Sequence, residues 1–368
     1  MKAKLDILAL DERGRDWDAA LAQLAPRQRD VFWLSGWTLL AQRRGEGRAL
    51  GALFRDDEGA VLYPFLLRDL DQVPYLGPDF AGLHDITTAA GFGGPLSPHG
   101  TSEETVAAFR AAFEQWCRDQ RVVSEFIRFH PLLETRLLMQ RHLEVDEAGQ
   151  IVWLRLDQGG CRLIDTFSVT ARKNVRTARD AGLTCHVETS TAAYERLGEL
   201  YLDNAVRRRA LPAFRFDPSH FLELRELLGS HQALFGVRNG NELVAGAVFL
   251  RSPDFVHFYL AGADRGHAHL RPMNLLFFEA MQWACGLGAT ALSLGGGYRG
   301  EDEWFRFKTG FSPYRAPRPV GRAVYLFEEY ARAEERRLQR GQIIDCDYFP
   351  LYRSPLPEEG LLGAAPGA

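Results

Sequence analysis

The feature that most constrains this chain is that it contains the same series of β/α elements twice. The first copy opens with ALFRDDEGAVLYPFLLR, Ala52 to Arg68, and the second with ALFGVRNGNELVAGAVFLR, Ala233 to Arg251. In each, an apolar run enters a charged turn of Asp, Asn and Gly and returns as a second apolar run, which spells a β-hairpin. Each hairpin is followed by a helix and then a strand. The helices contain Gln115-Trp116-Cys117 and Gln282-Trp283-Ala284-Cys285, and the strands are VVSEFIRF and ATALSLG. Repetition in register predicts a duplicated domain.

Capping signals bound these helices. Thr101 with Glu104 reads as a capping box for the first, Pro272 sits in the first turn of the second, and Gly286 and Gly288 end it. The second copy has a preface: strand QIVWLRLD, a helix from Asp165 to Ala181 ending at Gly182, strand LTCHVET, and two helices, the last entered at Asp217-Pro218. Its order is β-α-β-α-α-β-β-α-β. The first copy is shorter at its start and carries a glycine-rich connection from Tyr75 to Gly100. The expected class is α/β with a mixed sheet in tandem domains: residues 1–146, residues 147–350 with the chemistry, and a tail at 351–368. Its length of 368 residues suits two units of ordinary size.

The bulk numbers exclude several classes. No apolar stretch reaches the roughly 20 residues of a membrane span, so the expected location is cytoplasmic. Five scattered cysteines without a CxxC indicate neither a zinc site nor a disulfide framework. The histidines, His257 and His267 among them, show no metal-ligand or Ser/His/Asp pattern, so no metal is expected. A net charge of −4 argues against a DNA-coating protein, although basic residues bunch at 172–179 and 207–209.

Three segments carry a family resemblance. AAGFGGPLSP (Ala89 to Pro98) resembles the glycine-aromatic-x-Gly-Pro loop of FemAB-like proteins, and ARKNVRTARDAGL resembles their basic helix. The block from Tyr259 to Phe311, with YLAGAD, the long apolar helix and WFRFKTGF, resembles the end of their catalytic domain. The resemblance implies tandem GNAT-like acyltransferase domains. Known members move amino acids from aminoacyl-tRNA to the peptide of a peptidoglycan precursor. This chain lacks the helical-hairpin arm of some members, and it has Phe92 where tyrosine is common.

Acyl transfer to an amine needs a carbonyl held close and a positive or N–H donor where the oxyanion forms. Phe307-Lys308 matches the family's Phe-Lys pair, which implies an electrostatic role for Lys308. Asp302 is a candidate proton acceptor. LGGGYRGED reads as a strand leaving the sheet through a glycine turn, which lets Tyr298, Asp302 and Trp304 enter a cleft beyond the strand. The resemblance also implies substrate contacts at Phe92, at Tyr259, and at one of Arg208, Arg209 and Arg215. Arg172, Lys173 and Arg176 share one helical face, either as a solvated surface or as contacts to donor phosphates.

The expected activity is therefore an N-acyltransferase with aminoacyl-tRNA as co-substrate, no tightly bound cofactor, and an amine of a peptidoglycan or other envelope precursor as acceptor. The alternatives are an acyl-CoA-dependent enzyme acting on an amino sugar or metabolite, and a silent binding protein that keeps the fold. Against coenzyme A stands ADRGHAHLRPMN, where an acetyltransferase needs consecutive free backbone N–H groups.

Overall fold

The computed structural model describes residues 3–156, 163–297, 300–341 and 347–356. The elements run in the order β1 (Lys4–Ala9), α1 (Leu10–Leu21), α2 (Ser35–Arg43), β2 (Arg48–Arg55), β3 (Ala60–Asp69), β4 (His84–Thr87), α3 (Glu103–Asp119), β5 (Val122–Arg128) and α4 (Arg136–Met139). There follow β6 (Glu144–Arg155), α5 (Val169–Asp180), β7 (Thr184–Glu188), α6 (Thr191–Arg207), α7 (Pro218–Leu228), β8 (Gln232–Asn239), β9 (Glu242–Arg251), β10 (Phe255–Ala263), α8 (Pro272–Gly286), β11 (Ala291–Gly295) and α9 (Glu303–Thr309). The chain closes with β12 (Arg315–Val324) and α10 (Phe327–Leu338). It divides into two compact units: the segment up to Ala148 with the segment from Pro317, and Gly149–Ala316.

The duplication is present strand for strand. In the first unit the order is β1-β2-β3-β4-β5-β12, with only β4 and β5 parallel. In the second it is β7-β8-β9-β10-β11-β6, with only β10 and β11 parallel. The hairpins β2–β3 and β8–β9 hold equivalent places, and α3 and α8 make equivalent crossovers between the parallel strands.

Several expectations need correction. The first unit is not shorter at its start, because β1, α1 and α2 correspond to β7, α6 and α7. Each copy also has a third antiparallel strand. β4 is four residues inside the glycine-rich connection, and β10 lies between the Ser252-Pro253-Asp254 turn and the segment 264–271 that leads to α8. The cap of α3 is Ser102, whose side chain accepts from the Thr105 N–H, rather than Thr101. Ser168 caps α5, and Leu163–Thr166 ahead of it forms a separate 3-10 turn. The domain reading is corrected as well: β12 from Pro317 and α10 belong with the first unit, not with residues 147–350, because β12 pairs with β5 from Val320–Arg128 to Val324–Ser124. Cys117 and Cys185 are free thiols, whereas Cys285 is disulfide-bonded, which the scattered cysteine spacing does not indicate.

Each unit has its own core. In the first, Phe54, Tyr63, Phe65, Phe109, Phe113 and Phe129 are buried between sheet and α3. In the second, α8 is apolar nearly all round and buries Leu276, Phe277, Ala280, Met281 and Ala284. The first unit also buries charge. Asp85 is fully buried between Arg68 Nε at 2.7 Å and Arg353 Nε at 2.5 Å. Burial alone would raise its carboxyl, but Arg353 and Arg68 outweigh that and hold it below the ordinary carboxylate value. A carboxyl depressed in the folded state stabilises the fold above its unfolded value, and the contribution fades as pH falls toward the folded one. Asp85→Asn should therefore lower the melting temperature at pH 7, and its gap from the parent should narrow as pH drops below about 4. A gap constant from pH 7 to pH 3 in thermal melts would contradict this.

Candidate active site

The second unit opens where its parallel strands part. β10 and β11 pair only from Phe255–Ala291 to His257–Ser293. A bulge then intervenes in β10, which pairs with β9 as Phe258–Phe249 and next as Leu260–Val248, leaving Tyr259 as the extra residue. A bulge bends and twists its strand, so the end of β10 turns from β11. Gly262 lets α6 close in behind it, since a Cβ there would lie 2.5 Å from the Tyr201 backbone nitrogen. In the first unit the same place is filled: after β4, the Thr88 N–H donates to Phe126 O at 3.3 Å and the Gly93 N–H to Arg128 O at 2.7 Å.

The opening in the second unit is a cavity of about 740 Å³. Its walls are the end of α6 with Tyr201, Asn204 and Arg208, the β10 residues Ala261 to Ala263, the start of α8 from Arg271 to Asn274, and α9 with Asp302, Trp304 and Phe307. A concave, largely apolar cavity of this size with a few converging polar groups is how small-ligand sites are built.

Lys308 lies against this wall. It is on a helix, and it is completely buried. Its Nζ donates to the Gly296 carbonyl at 2.7 Å and lies 5.3 Å from the ring centres of both Phe258 and Trp304. Carbonyl and ring faces both attract an ammonium group. The site depends on the glycine turn after β11: Gly295 has φ +72°, and a Cβ on Gly297 would come 2.3 Å from Gly300 O. Asp302 caps α9, accepting from the Phe305 N–H at 2.8 Å, and also faces the cavity. Trp304 and Phe307 stack with ring centres 5.1 Å apart and planes within 5°, and Phe277 meets Phe307 edge-on at 5.5 Å.

The other expected residues are dispersed. Of the three candidate arginines Arg208 lines the cavity, Arg209 is exposed with φ +55°, and Arg215 Nε donates to Ala210 O at 2.9 Å. Tyr259 is buried, its hydroxyl 3.2 Å from His220 Nε2, and His220 stacks on Phe216 at 4.4 Å. Phe92 is buried in the first unit, edge-on to Phe32 at 5.3 Å and to His130 at 5.1 Å. Tyr298 lies outside the described residues. Arg172, Lys173 and Arg176 are exposed on α5, opposite its buried Ala171, Val175 and Ala178, while Arg179 pairs with Glu279 at 2.8 Å.

Asn204, which sequence reasoning passed over, and Arg271, weighed there only as an obstacle to coenzyme A, also form the wall. Asn204 Nδ2 donates to Leu200 O at 2.7 Å and Ala263 O at 2.9 Å, tying α6 to the end of β10. Arg271 sits at the N-cap of α8 with φ +61°, an uncommon conformation for a side chain of this size. One sequence signal was available: of 44 basic residues only four are lysines, Lys2, Lys4, Lys173 and Lys308. In so arginine-rich a chain, a lysine between phenylalanine and threonine stands out.

Residues 167–308, which span this cavity, match the family described as the acetyltransferase (GNAT) domain. The fold of the whole chain superposes on the crystal structure of FemX with a TM-score of 0.68 at 13% identity, covering 90% of this chain and 99% of that one. The second unit therefore carries a GNAT acyltransferase domain, and the chain shares the fold of FemX. Two further structures are similar in fold. One is L-PGS from Bacillus licheniformis (TM-score 0.53, 14% identity, 83% of this chain and 90% of that one). The other is the C-terminal domain of a putative lysylphosphatidylglycerol synthetase from Agrobacterium fabrum (0.51, 13%, 84% and 90%). No curated protein sequence matches. The GNAT domain thus lies within the second unit, and its last residue is Lys308 itself. Among the described residues no helix is long and apolar enough to cross a membrane.

Proposed function

We propose that this acyltransferase moves an aminoacyl group from aminoacyl-tRNA to an amine of a peptidoglycan or other cell-envelope precursor, in the cavity of the second unit. The observation that carries the reading is the Lys308 ammonium, fully buried and 5.3 Å from the ring centre of Trp304, which with Phe307 lines the cavity. In the reaction the acceptor nitrogen attacks the ester carbonyl, the C–N bond forms, and the bond from the carbonyl carbon to the ribose oxygen breaks, with a proton passing to that oxygen as it leaves. Lys308 stabilises the oxyanion, where charge develops in a water-poor setting. Asp302 takes the proton released by the amine, and Arg208 holds an anionic group of the substrate. The likeness to FemX and to a putative lysylphosphatidylglycerol synthetase, whose name is that of an enzyme making an aminoacyl lipid, supports aminoacyl rather than acetyl transfer.

An acyl-CoA donor is the second reading, favoured by the acetyltransferase-domain match. The start of α8 weighs against it. A pyrophosphate needs several backbone N–H groups there, but Pro272 has none and the bulky Arg271 precedes it.

The phosphates of tRNA are then met by the exposed α5 residues Arg172, Lys173 and Arg176. Filter binding of charged tRNA should weaken steeply with salt as counterions are released. Replacing all three with glutamate should flatten the log–log slope by about one per residue. An unchanged slope would remove α5 from the donor site.

A further inference from the structure

Lys308 does not itself line the cavity, although Trp304 and Phe307 on the same helix do. Its burial is complete, and the indole of Trp304 lies 5.3 Å from Nζ. Trp304 is in turn held on several sides. It stacks on Phe307, its ring centre is 5.9 Å from Phe258, and Phe277 meets it edge-on at 6.3 Å. Phe311 and Phe277 support Phe307 from behind at 5.2 and 5.5 Å. The indole is therefore a fixed panel that lines the cavity and covers one side of the ammonium. From the far side Gly296 O and the Phe258 ring complete the enclosure.

We propose that Trp304 is the positioning residue of Lys308: its indole holds the ammonium by its ring face and keeps water from it in the free protein. The proposal rests on the catalytic reading of Lys308. A charge kept out of water acts on a developing oxyanion through a low effective dielectric, whereas a hydrated one is screened. An aromatic ring is the right material for the panel, because it is apolar toward water yet attractive to a cation. Leucine removes both the ring and part of the bulk that shields the ammonium, whereas phenylalanine keeps an aromatic face.

The scarcity of lysine makes the test direct. Reductive methylation with formaldehyde and cyanoborohydride, followed by peptide mass mapping, reports each lysine separately. Lys4 and Lys173 are exposed and serve as internal standards. In the parent protein Lys308 should resist modification while Lys4 and Lys173 react. In Trp304→Leu it should react at least tenfold faster than in the parent, and in Trp304→Phe it should stay protected. Thermal melts of both variants check that the fold survives.

Turnover with aminoacyl-tRNA supplies the second readout. Trp304→Leu should lower kcat about tenfold with a smaller change in KM, Trp304→Phe should recover most of it, and adding Trp304→Leu to Lys308→Met should cost nothing more. Lys308 as resistant in Trp304→Leu as in the parent, or losses that multiply in the double variant, would overturn the positioning role. Full turnover in Lys308→Met alone would instead overturn the catalytic reading, and the methylation result would still stand by itself.

Discussion

Lys308→Met should lower turnover by about 100-fold or more, the scale of losing one oxyanion donor, with the melting temperature little changed. Methionine matches the length of the lysine stem and suits the rings of Phe258 and Trp304, so the packing around position 308 is kept while the charge is removed. The Gly296 carbonyl loses its donor, a cost offset in part by no longer burying an ammonium. Steady-state transfer from charged tRNA, with a thermal melt of the same preparation, checks both halves. Unchanged kcat would retire the electrostatic role, and a collapsed melt would mean that Lys308 serves the fold instead.

Arg110→Met should have the largest effect on stability, and it lies in the other unit. Arg110 is 3% exposed; its NH1 meets Glu125 at 2.7 Å, its Nε meets Glu114 at 2.9 Å, and its NH2 donates to the Tyr325 hydroxyl at 2.6 Å. Glu125 is fully buried and also accepts from Tyr325. Removing the cation strands a carboxylate in the core, which costs about 3–5 kcal/mol. For a unit of this size that is a fall on the order of 10 °C in melting temperature. Arg110→Met with Glu125→Gln should regain much of the loss, because the stranded charge goes too. Equal melts for the single and double variants would show that packing, not charge, sets the cost.

The duplication was legible because a hairpin is a local object: each apolar run, its Asp/Asn/Gly turn and the return strand lie within 20 residues. Asp217-Pro218 was legible for the same reason, and the Asp217 side chain does accept from the N–H groups of Ser219 and His220. Features made by distant residues were not. The partner that β12 takes is set by pairing with β5 almost 200 residues earlier, including the Phe129 N–H to Pro319 O bond, and no local pattern announces it. β4 is too short to show alternation.

The Phe307-Lys308 pair could be picked out by its resemblance, but its burial could not. α9 is seven residues long and reads as a turn, and the rings that cover Lys308 include Phe258 from β10, fifty residues earlier. Arg208 could not be separated from Arg209 and Arg215 by sequence, since the choice depends on where α6 ends against the cavity.

The central claim is that the second unit takes its acyl group from an aminoacyl ester of RNA. Two parallel reactions test it, each with purified protein and an extract of envelope precursors, one containing radiolabelled aminoacyl-tRNA and the other radiolabelled acetyl-CoA. Aminoacyl esters are cleaved by mild alkali and amides are not, so alkali-resistant label reports transfer to an amine. The account predicts alkali-resistant label from aminoacyl-tRNA, absent with Lys308→Met, and none above background from acetyl-CoA. Label arriving from acetyl-CoA alone would contradict it and make the protein an acyl-CoA enzyme.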